Sequence, residues 1–264
     1  MRIPLHQIDA FATEPFKGNP AAVCPLDAWL TDHLMQAIAV ENNLAETAFI
    51  VEEPGGWRIR WFTPGCEIDL CGHATLASAF LIFTDLRPGL ESVTFQSRSG
   101  PLGVSREGER LVLDFPSRPP RMVAGIEGLA EGLRAAPKEF GQSRDMLAVF
   151  GTEAEVRALV PDMGRLGALK TLGIIATAPA STPGADFVSR FFAPSVDVGV
   201  PEDSVTGSAH CTLIPFWAER LGKTALKALQ VSKRGGELWC ELKGDRVRIG
   251  GHCVKVLEGT FLLR

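Results

Sequence analysis

The stretch Leu70-Cys71-Gly72-His73-Ala74-Thr75 decides the fold of this chain. A strand-like segment, residues 57–62, and a turn-prone loop, Thr63-Pro64-Gly65, precede it, and an almost wholly apolar run, residues 76–83, follows it. This order predicts a strand, a turn and then a helix whose first amides have no partner within the helix and carry a partial positive charge. The turn therefore predicts a backbone anion site, with His73 placed to contact whatever binds there.

The same pattern occurs again in the second half of the chain. Arg60-Trp61-Phe62-Thr63-Pro64 is matched by Arg190-Phe191-Phe192-Ala193-Pro194. Each segment leads to a helix start built of small residues, which is Cys71-Gly72-His73-Ala74 in the first half and Thr206-Gly207-Ser208-Ala209 in the second. The second loop is longer and carries Glu202 and Asp203. Two ordinary helix caps would explain either turn taken singly, but the shared lead-in favours an internal repeat.

The two predicted helices indicate the architecture, because both are apolar on nearly every face. A helix of this kind has to be surrounded by protein. In each half, the segments available to surround the helix are short strands. We therefore predict an α/β (α+β) fold of two similar halves, each a barrel-like, mostly antiparallel sheet wrapped around a central apolar helix. Adjacent prolines place the boundary between residues 1–117 and 118–264, with the last strand, near residues 255–264, able to pack back on the first half. If the halves face each other, both helix starts bind one anionic small molecule, such as a carboxylate.

Composition excludes several classes of function. The chain has 264 residues, a net charge of −4 and a pI of about 5.8, so we expect neither nucleic acid nor an anionic membrane as partner. No apolar run approaches the roughly 20 residues of a membrane span. Six scattered cysteines without a CxxC pair predict reduced thiols in a cytoplasmic protein. His6, His33 and His252 have no clustered partners, so no metal site is predicted.

Glu46 is a candidate general acid/base. It is the sole charge in the strand-like segment Leu44-Ala45-Glu46-Thr47-Ala48-Phe49-Ile50-Val51. Alternation along a strand places it on the same face as Leu44, Ala48 and Ile50. The carboxylate then either faces solvent at a strand edge or lies in a cleft of low polarity, where it would suit proton transfer near neutral pH.

Three further residues at the two turns are candidates for the chemistry. Asp203 either caps the loop before the second helix or holds a substrate group and exchanges a proton with it. His73 either satisfies a nearby carbonyl or donates to a carboxylate and relays protons. Cys71 and Thr206 occupy equivalent places in the two turns. Cysteines at both places would suggest racemisation by two thiols. Because only one of the two is a cysteine, acid/base chemistry by carboxylates is favoured.

Taken together, these residues resemble the PhzF-like family of phenazine-biosynthesis-like proteins. The resemblance runs through nearly the whole chain, in the motifs Asp9-Ala10-Phe11, Phe16-x-Gly18-Asn19-Pro20-Ala21-Ala22-Val23, Asn43-Leu44-Ala45-Glu46-Thr47-Ala48-Phe49, Arg60-x-Phe62-Thr63-Pro64, Cys71-Gly72-His73-Ala74-Thr75 and Glu202-Asp203-x-x-Thr206-Gly207-Ser208-Ala209. It implies a diaminopimelate-epimerase-like fold, no cofactor and a homodimer.

The resemblance also implies roles for residues. Glu46 matches the Glu that moves a proton between carbons of a cyclic substrate in the family's characterised isomerase. His73, Asp203 and Ser208 match residues that hold the substrate or assist the transfer, and Gly72 and Gly207 match glycines whose backbone binds its carboxylate. Cys71 is a difference from the phenazine enzyme, which has no cysteine at that position. The resemblance therefore supports the type of reaction better than it supports the identity of the substrate.

The sequence therefore predicts a cofactor-independent isomerase that moves a proton on a small carboxylate-bearing, possibly cyclic, metabolite. The catalytic residues would be Glu46, His73 and Asp203. An amino-acid racemase, epimerase or dehydratase on the same fold, with Cys71 as a base, is the alternative enzyme. A non-catalytic member that binds a metabolite or a protein is the alternative of a different class.

Overall fold

The computed structural model of the protein describes residues 1–194 and 201–263. The strands, numbered along the chain, are β1 (Arg2–Ala10), β2 (Asn19–Leu26), β3 (Glu46–Glu53), β4 (Gly56–Phe62), β5 (Glu67–Ile68), β6 (Ser92–Ser97), β7 (Gly100–Glu107), β8 (Arg110–Pro116), β9 (Arg121–Val123), β10 (Glu139–Gln142), β11 (Met146–Val149), β12 (Ile174–Pro179), β13 (Phe187–Phe192), β14 (Glu202–Asp203), β15 (Ala225–Gln230), β16 (Gly236–Lys243), β17 (Arg246–Gly251) and β18 (Cys253–Leu262). The helices are α1 (Asp32–Asn42), α2 (Gly72–Leu81), α3 (Leu129–Leu133), α4 (Glu153–Arg157), α5 (Met163–Gly167) and α6 (Gly207–Leu221), and a π-helical turn, Ile82–Leu86, follows α2.

The chain divides into two compact units. Unit 1 comprises Met1–Asp114 and Gly250–Arg264, and unit 2 comprises Phe115–Ile249. In unit 1 the last strand, β18, pairs antiparallel with β1 along its whole length. Part of the loop before Glu202, residues 195–200, and the final residue of the predicted last strand lie outside the described residues.

The two units repeat one strand topology, and the fold is the predicted mixed α+β arrangement of two similar halves. In unit 1, β1 pairs antiparallel with β2, β2 runs parallel to β3, β3 pairs antiparallel with β4, and β4 runs parallel to β6. In unit 2 the same succession joins β10, β11, β12, β13 and β15. The short strands β5 and β14 pair at the equivalent ends of β4 and β13.

Helix α2 forms the core of unit 1. Every residue of this helix except Phe80 is buried, and it packs against β1, β2, β3 and β18. Because no face of α2 meets solvent, its sequence lacks the polar stripe of a surface helix, as the apolar run 76–83 predicted. The six cysteines of the chain all fall in the described ranges and are free thiols.

Helix α6 is the equivalent helix of unit 2 and packs against β15 and β16. Pro215 lies inside it, so the carbonyl of Cys211 has no helical donor four residues on. The backbone N–H of Arg118 donates to that carbonyl at 2.8 Å instead. The proline-rich segment after β8 thus completes a hydrogen bond that the helix lacks.

Local signals along the chain were confirmed in part. The residue types at the two ends of α1 predict its limits: Thr31 is the N-cap and accepts from the N–H of Leu34, and Asn43 ends the helix in the left-handed conformation. The sequence after the adjacent prolines indicates a helical region up to about Ala136, but only Leu129–Leu133 in that region is helical. No helix in the described part of the chain is both long and apolar enough to cross a lipid bilayer.

Candidate active site

Helix α2 begins at Gly72, as the strand–turn–helix pattern predicted, and the side chain of its N-cap residue, Cys71, does not cap it. The backbone of Cys71 is extended, with φ −141° and ψ 116°, so the chain turns into the helix directly after β5 and its loop. An ordinary N-cap would use a side-chain oxygen to satisfy a first-turn amide. Its lack here favours a role in binding over simple capping.

Glu46 and His73 lie in contact in unit 1. Glu46 is the first residue of β3, where parallel pairing with β2 places it opposite Ala21. Its Oε2 lies 3.0 Å from Nε2 of His73, the second residue of α2. The His73 side chain is 4% exposed and that of Glu46 is 12% exposed. The carboxylate is therefore neither at a solvated strand edge nor fully enclosed.

The second ring nitrogen of His73 has polar neighbours as well. Nδ2 of Asn19, the first residue of β2, lies 3.0 Å from Nδ1, and Sγ of Cys71 lies 3.5 Å from the same atom. Asn19 was quoted in the sequence motif, but nothing in its local pattern indicated this contact. It depends on the pairing of β1 with β2 and on the position of α2 against β2.

The electrostatics of this cluster favour a protonated imidazole beside the carboxylate. Burial alone would lower the pKa of His73, but the acidic groups of Cys71 and Glu46 outweigh burial and hold this pKa above its ordinary value. Burial, together with the charge of Glu46, raises the pKa of the Cys71 thiol. The imidazole therefore lies between two acidic groups, with Cys71 beside Nδ1 and Glu46 beside Nε2.

Glu46, Cys71 and His73 also have the chemistry of a metal-binding set, with ligand atoms within 4.8 Å of one another. However, Cys71 lies beside Nδ1 of the imidazole, whereas Glu46 lies beside Nε2. The imidazole thus has a different proton-exchanging group at each ring nitrogen, an arrangement that also suits proton transfer. His6 lies in a second such set, with Asp85 and Glu258, so the expectation that His6 has no clustered partners was wrong.

The second turn belongs to unit 2. Helix α6 begins at Gly207, and its N-cap residue, Thr206, likewise makes no capping bond with its side chain. The Thr206 hydroxyl donates instead to Oδ2 of Asp203 at 2.6 Å. Ser208 follows as the second residue of α6 and is partly buried. Asp203 is thus held by the residue next to the helix start, and Gly72 with His73 and Gly207 with Ser208 occupy equivalent places in the two units.

His210 is structural, as its position inside the helix suggested. It is fully buried, and its Nδ1 lies 2.8 Å from the backbone carbonyl of Thr206. Burial lowers the pKa of His210 to about 4, so the ring is neutral. A carbonyl only accepts, and Nδ1 therefore carries the proton.

Sequence reasoning missed Gln230, the last residue of β15. Its side chain is 1% exposed and makes three hydrogen bonds with the loop that carries Asp203. The available signal was a polar residue on a buried strand face, since Gln230 alternates with the buried residues Leu226 and Ala228. Buried amides are normally satisfied by hydrogen bonds, so this pattern indicates a polar partner nearby.

A repeated ion pair fixes the start of each turn. The guanidinium of Arg60 makes two hydrogen bonds of 2.7 Å with Glu67, and that of Arg190 makes bonds of 2.7 and 2.9 Å with Glu202. Each arginine also lies over the ring of the phenylalanine two residues on, Phe62 or Phe192. A loop position beside Asp203 suggests a solvated side chain for Glu202, but the repeat gives it the same partner type as Glu67.

The acid/base residues themselves are not duplicated. Phe62 pairs with Thr47, and its equivalent Phe192 pairs with Ile174, so the position equivalent to Glu46 is Gly173. Similarly, Trp61 pairs with Ile68, whereas Phe191 pairs with Asp203. The repeat therefore supplies the framework of each turn, and each unit adds one carboxylate at a different place.

Comparison with known proteins finds similar sequences and similar structures. An isomerase of Pseudomonas aeruginosa, named as uncharacterized, is 53% identical over 264 residues, with both chains fully covered. The crystal structure of a PhzF family protein from Enterococcus faecalis matches with a TM-score of 0.95 at 46% identity, and again both chains are fully covered.

A more distant structure shows how far the fold extends. A hydroxyproline epimerase from Agrobacterium vitis matches with a TM-score of 0.64 at 10% identity, over 98% of this chain and 92% of that one. At this identity the likeness concerns the fold alone. The family model of the phenazine biosynthesis-like proteins matches residues 8–259. The chain is an isomerase that belongs to the PhzC-PhzF family of phenazine biosynthesis-like proteins.

Proposed function

We propose that this isomerase moves a proton on a small carboxylate-bearing metabolite by general acid/base catalysis, without a cofactor, and that Glu46 removes and returns the proton. The observation that carries the proposal is the 3.0 Å contact between the half-buried Glu46 carboxylate and the His73 imidazole at the start of α2. A base must reach the substrate proton and be ionised before it reacts. The carboxylate is partly exposed, and the imidazole 3.0 Å away can hold or release a proton beside it.

His73 and Asp203 orient the substrate and assist the transfer in this proposal. The imidazolium form of His73 offsets negative charge on Glu46 before the transfer, and it can pass a proton to a substrate atom that becomes basic. Asp203 lies at the second turn, with one oxygen held by Thr206. A carboxylate in that setting can bind an amine or hydroxyl group of the substrate or exchange a proton with it.

Gly72, Gly207 and Ser208 bind the substrate carboxylate in this proposal. Gly72 and Gly207 open helices of 10 and 15 residues, and neither N-cap side chain satisfies the first turn. Amides at such helix starts favour an anion, and they stabilise the charge that develops when a proton leaves a carbon next to a carboxylate. The Ser208 hydroxyl adds a donor at the second helix.

The test uses incorporation of solvent deuterium. The protein is incubated with a pool of small carboxylic acids in deuterated water, and each compound is followed by mass spectrometry and proton NMR. We expect at least one compound to gain a non-exchangeable deuteron with the wild type. Glu46→Gln should lower that rate by at least about 10²-fold, the smaller contribution typical of a general base.

Glu52→Gln is the matched control, because Glu52 lies on the same strand with its side chain 45% exposed. It should keep the wild-type rate. Incorporation by Glu46→Gln at the wild-type rate would refute the assignment of the base. Retained deuteration in Glu46→Gln together with its loss in Cys71→Ser would favour the racemase alternative.

The assembly and location of the enzyme belong to the same proposal. The homodimer that the resemblance implies and the cytoplasmic location that the scattered cysteines indicate stay predictions. Sedimentation equilibrium at micromolar concentration would test the first, and fractionation of cells that produce the protein would test the second.

A further inference from the structure

The amide of Gln230 has one possible orientation. Its Oε1 accepts from the backbone N–H of Thr206 at 2.8 Å, and its Nε2 donates to the backbone carbonyl of Asp203 at 2.8 Å. Turning the amide over would place two donors together at Thr206 and two acceptors together at Asp203. Backbone N–H groups only donate and carbonyls only accept, so the amide is fixed as described.

This orientation determines the direction of the next hydrogen bond. The second hydrogen of Nε2 points at Oγ1 of Thr206, 3.1 Å away, so the hydroxyl accepts from Gln230. The hydroxyl then sends its own proton to Oδ2 of Asp203, 2.6 Å away. The donors therefore run in one direction, from Gln230 through Thr206 to Asp203.

We propose that Gln230 is a positioning residue, which holds the Thr206 hydroxyl as a donor to Oδ2 of Asp203 and so favours the ionised form of that carboxylate. The inference rests on the proposed function insofar as Asp203 exchanges a proton with the substrate. It deepens that function by naming the buried residue that sets how readily Asp203 gives up its proton.

Other contacts hold the same loop rigid. Ser232 donates to the carbonyl of Ser204 at 2.7 Å, and Nδ1 of His210 donates to the carbonyl of Thr206. With Gln230, these side chains bind the backbone of the loop at four points. These bonds hold the backbone of the loop, so the Thr206 hydroxyl and the Asp203 side chain start from fixed positions.

The charged surroundings of Asp203 are shared by all variants in the test below. On β13, Arg190 pairs with Glu202, the neighbour of Asp203 on β14. On α6, His210 is neutral, and Lys233 and Arg234 follow β15 in the chain. A comparison between variants that keep these groups isolates the contribution of the hydrogen bonds.

The experiment measures Asp203 directly and needs no substrate. Protein labelled with ¹³C at the aspartate side-chain carboxyls is titrated by NMR, and the Asp203 signal is assigned by its loss in Asp203→Asn. A hydrogen bond to the charged form favours that form, so Thr206→Val should raise the midpoint of this titration by about one pH unit. Thr206→Ser keeps the hydroxyl and should restore the wild-type midpoint.

A double-mutant cycle tests the role of Gln230. Gln230→Met removes the donor to Thr206, so it should raise the midpoint of the Asp203 titration by up to about one pH unit when Thr206 is present. In the Thr206→Val background, the same substitution should leave the midpoint unchanged. An equal shift in both backgrounds, or none in either, would overturn the proposal. If Gln230→Met does not fold, as judged by circular dichroism, Gln230→Glu replaces it. Its added charge acts in both backgrounds, so the difference between them still measures the coupling.

The titration separates this inference from the proposed function. Coupling between Gln230 and Thr206 without deuterium incorporation into any acid would leave the positioning role intact and refute the isomerase chemistry. Deuterium incorporation that depends on Glu46, without coupling in the double-mutant cycle, would support the isomerase chemistry and refute the positioning role of Gln230.

Discussion

Glu153 offers the sharpest test of the energetics in unit 2. It opens α4 with 4% of its surface exposed. Its carboxylate accepts hydrogen bonds from the backbone and hydroxyls of Ser181 and Thr182, at 2.7–3.0 Å, and from Arg157 at 2.7 Å. This one side chain therefore connects the loop at residues 181–184 to α4.

These contacts set the pKa of Glu153. Burial raises this pKa, but the bonds from Thr182, Arg157 and Ser181 outweigh burial and lower it from 4.5 to about 2. At 1.36 kcal/mol per pKa unit, a difference of this size corresponds to roughly 3 kcal/mol of folding free energy. We therefore expect Glu153→Gln to destabilise the protein by about that amount at pH 7.

The sign of the pH dependence follows from the lowered pKa. The stabilisation is fully present above the unfolded value of 4.5 and is lost as pH falls from there toward about 2. Urea unfolding followed by circular dichroism, at pH 7 and at steps down to pH 3, should show the gap between wild type and Glu153→Gln closing below about pH 4.5. Glu155→Gln, an exposed carboxylate on the same helix, is the control and should have a much smaller effect. A gap that is the same at every pH would refute the reasoning.

Two further predictions concern the turns. Cys71 is 6% exposed and its thiol pKa is raised, whereas Cys66 is exposed. Iodoacetamide at pH 7.5 should therefore label Cys66 before Cys71, which peptide mass spectrometry would measure. Equal labelling rates at the two cysteines would contradict a buried, protonated Cys71. Breaking the Arg190–Glu202 pair with Arg190→Met should cost roughly 3 kcal/mol, because it leaves a partly buried carboxylate without its partner. The double variant with Glu202→Gln should lose less than the two single variants summed, and strict additivity in urea unfolding would show that the pair is not coupled.

The sequence predicted the features that depend on nearby residues. The ends of α1 follow from the hydrogen-bonding chemistry of Thr31 and the left-handed conformation of Asn43, both local properties. The starts of α2 and α6 fall inside the four-residue stretches predicted for them, because small residues after a turn mark them. The echo of Arg60-Trp61-Phe62 in Arg190-Phe191-Phe192 predicted two similar halves, since equivalent strands need equivalent side chains at equivalent places.

The tertiary structure decided which groups touch. Glu46 was a candidate from its isolated charge, but its contact with His73 depends on the parallel register of β2 and β3 and on where α2 packs against them. Periodicity assigns a residue to a face without naming its neighbour across the sheet. For the same reason Glu202 was misjudged, and the bond from Arg118 to the carbonyl left by Pro215 could not be foreseen.

By itself, the sequence determined the family, the repeat and the residue types at the two turns, because these are properties of local pattern and order. Only the tertiary structure decided that His73 has the Glu46 carboxylate at one ring nitrogen and Cys71 at the other, and that Gln230 fixes the hydrogen bond of Asp203. The physical reason is that hydrogen bonds and charge pairs act over about 3 Å, and strand register and helix packing alone bring distant parts of a chain that close.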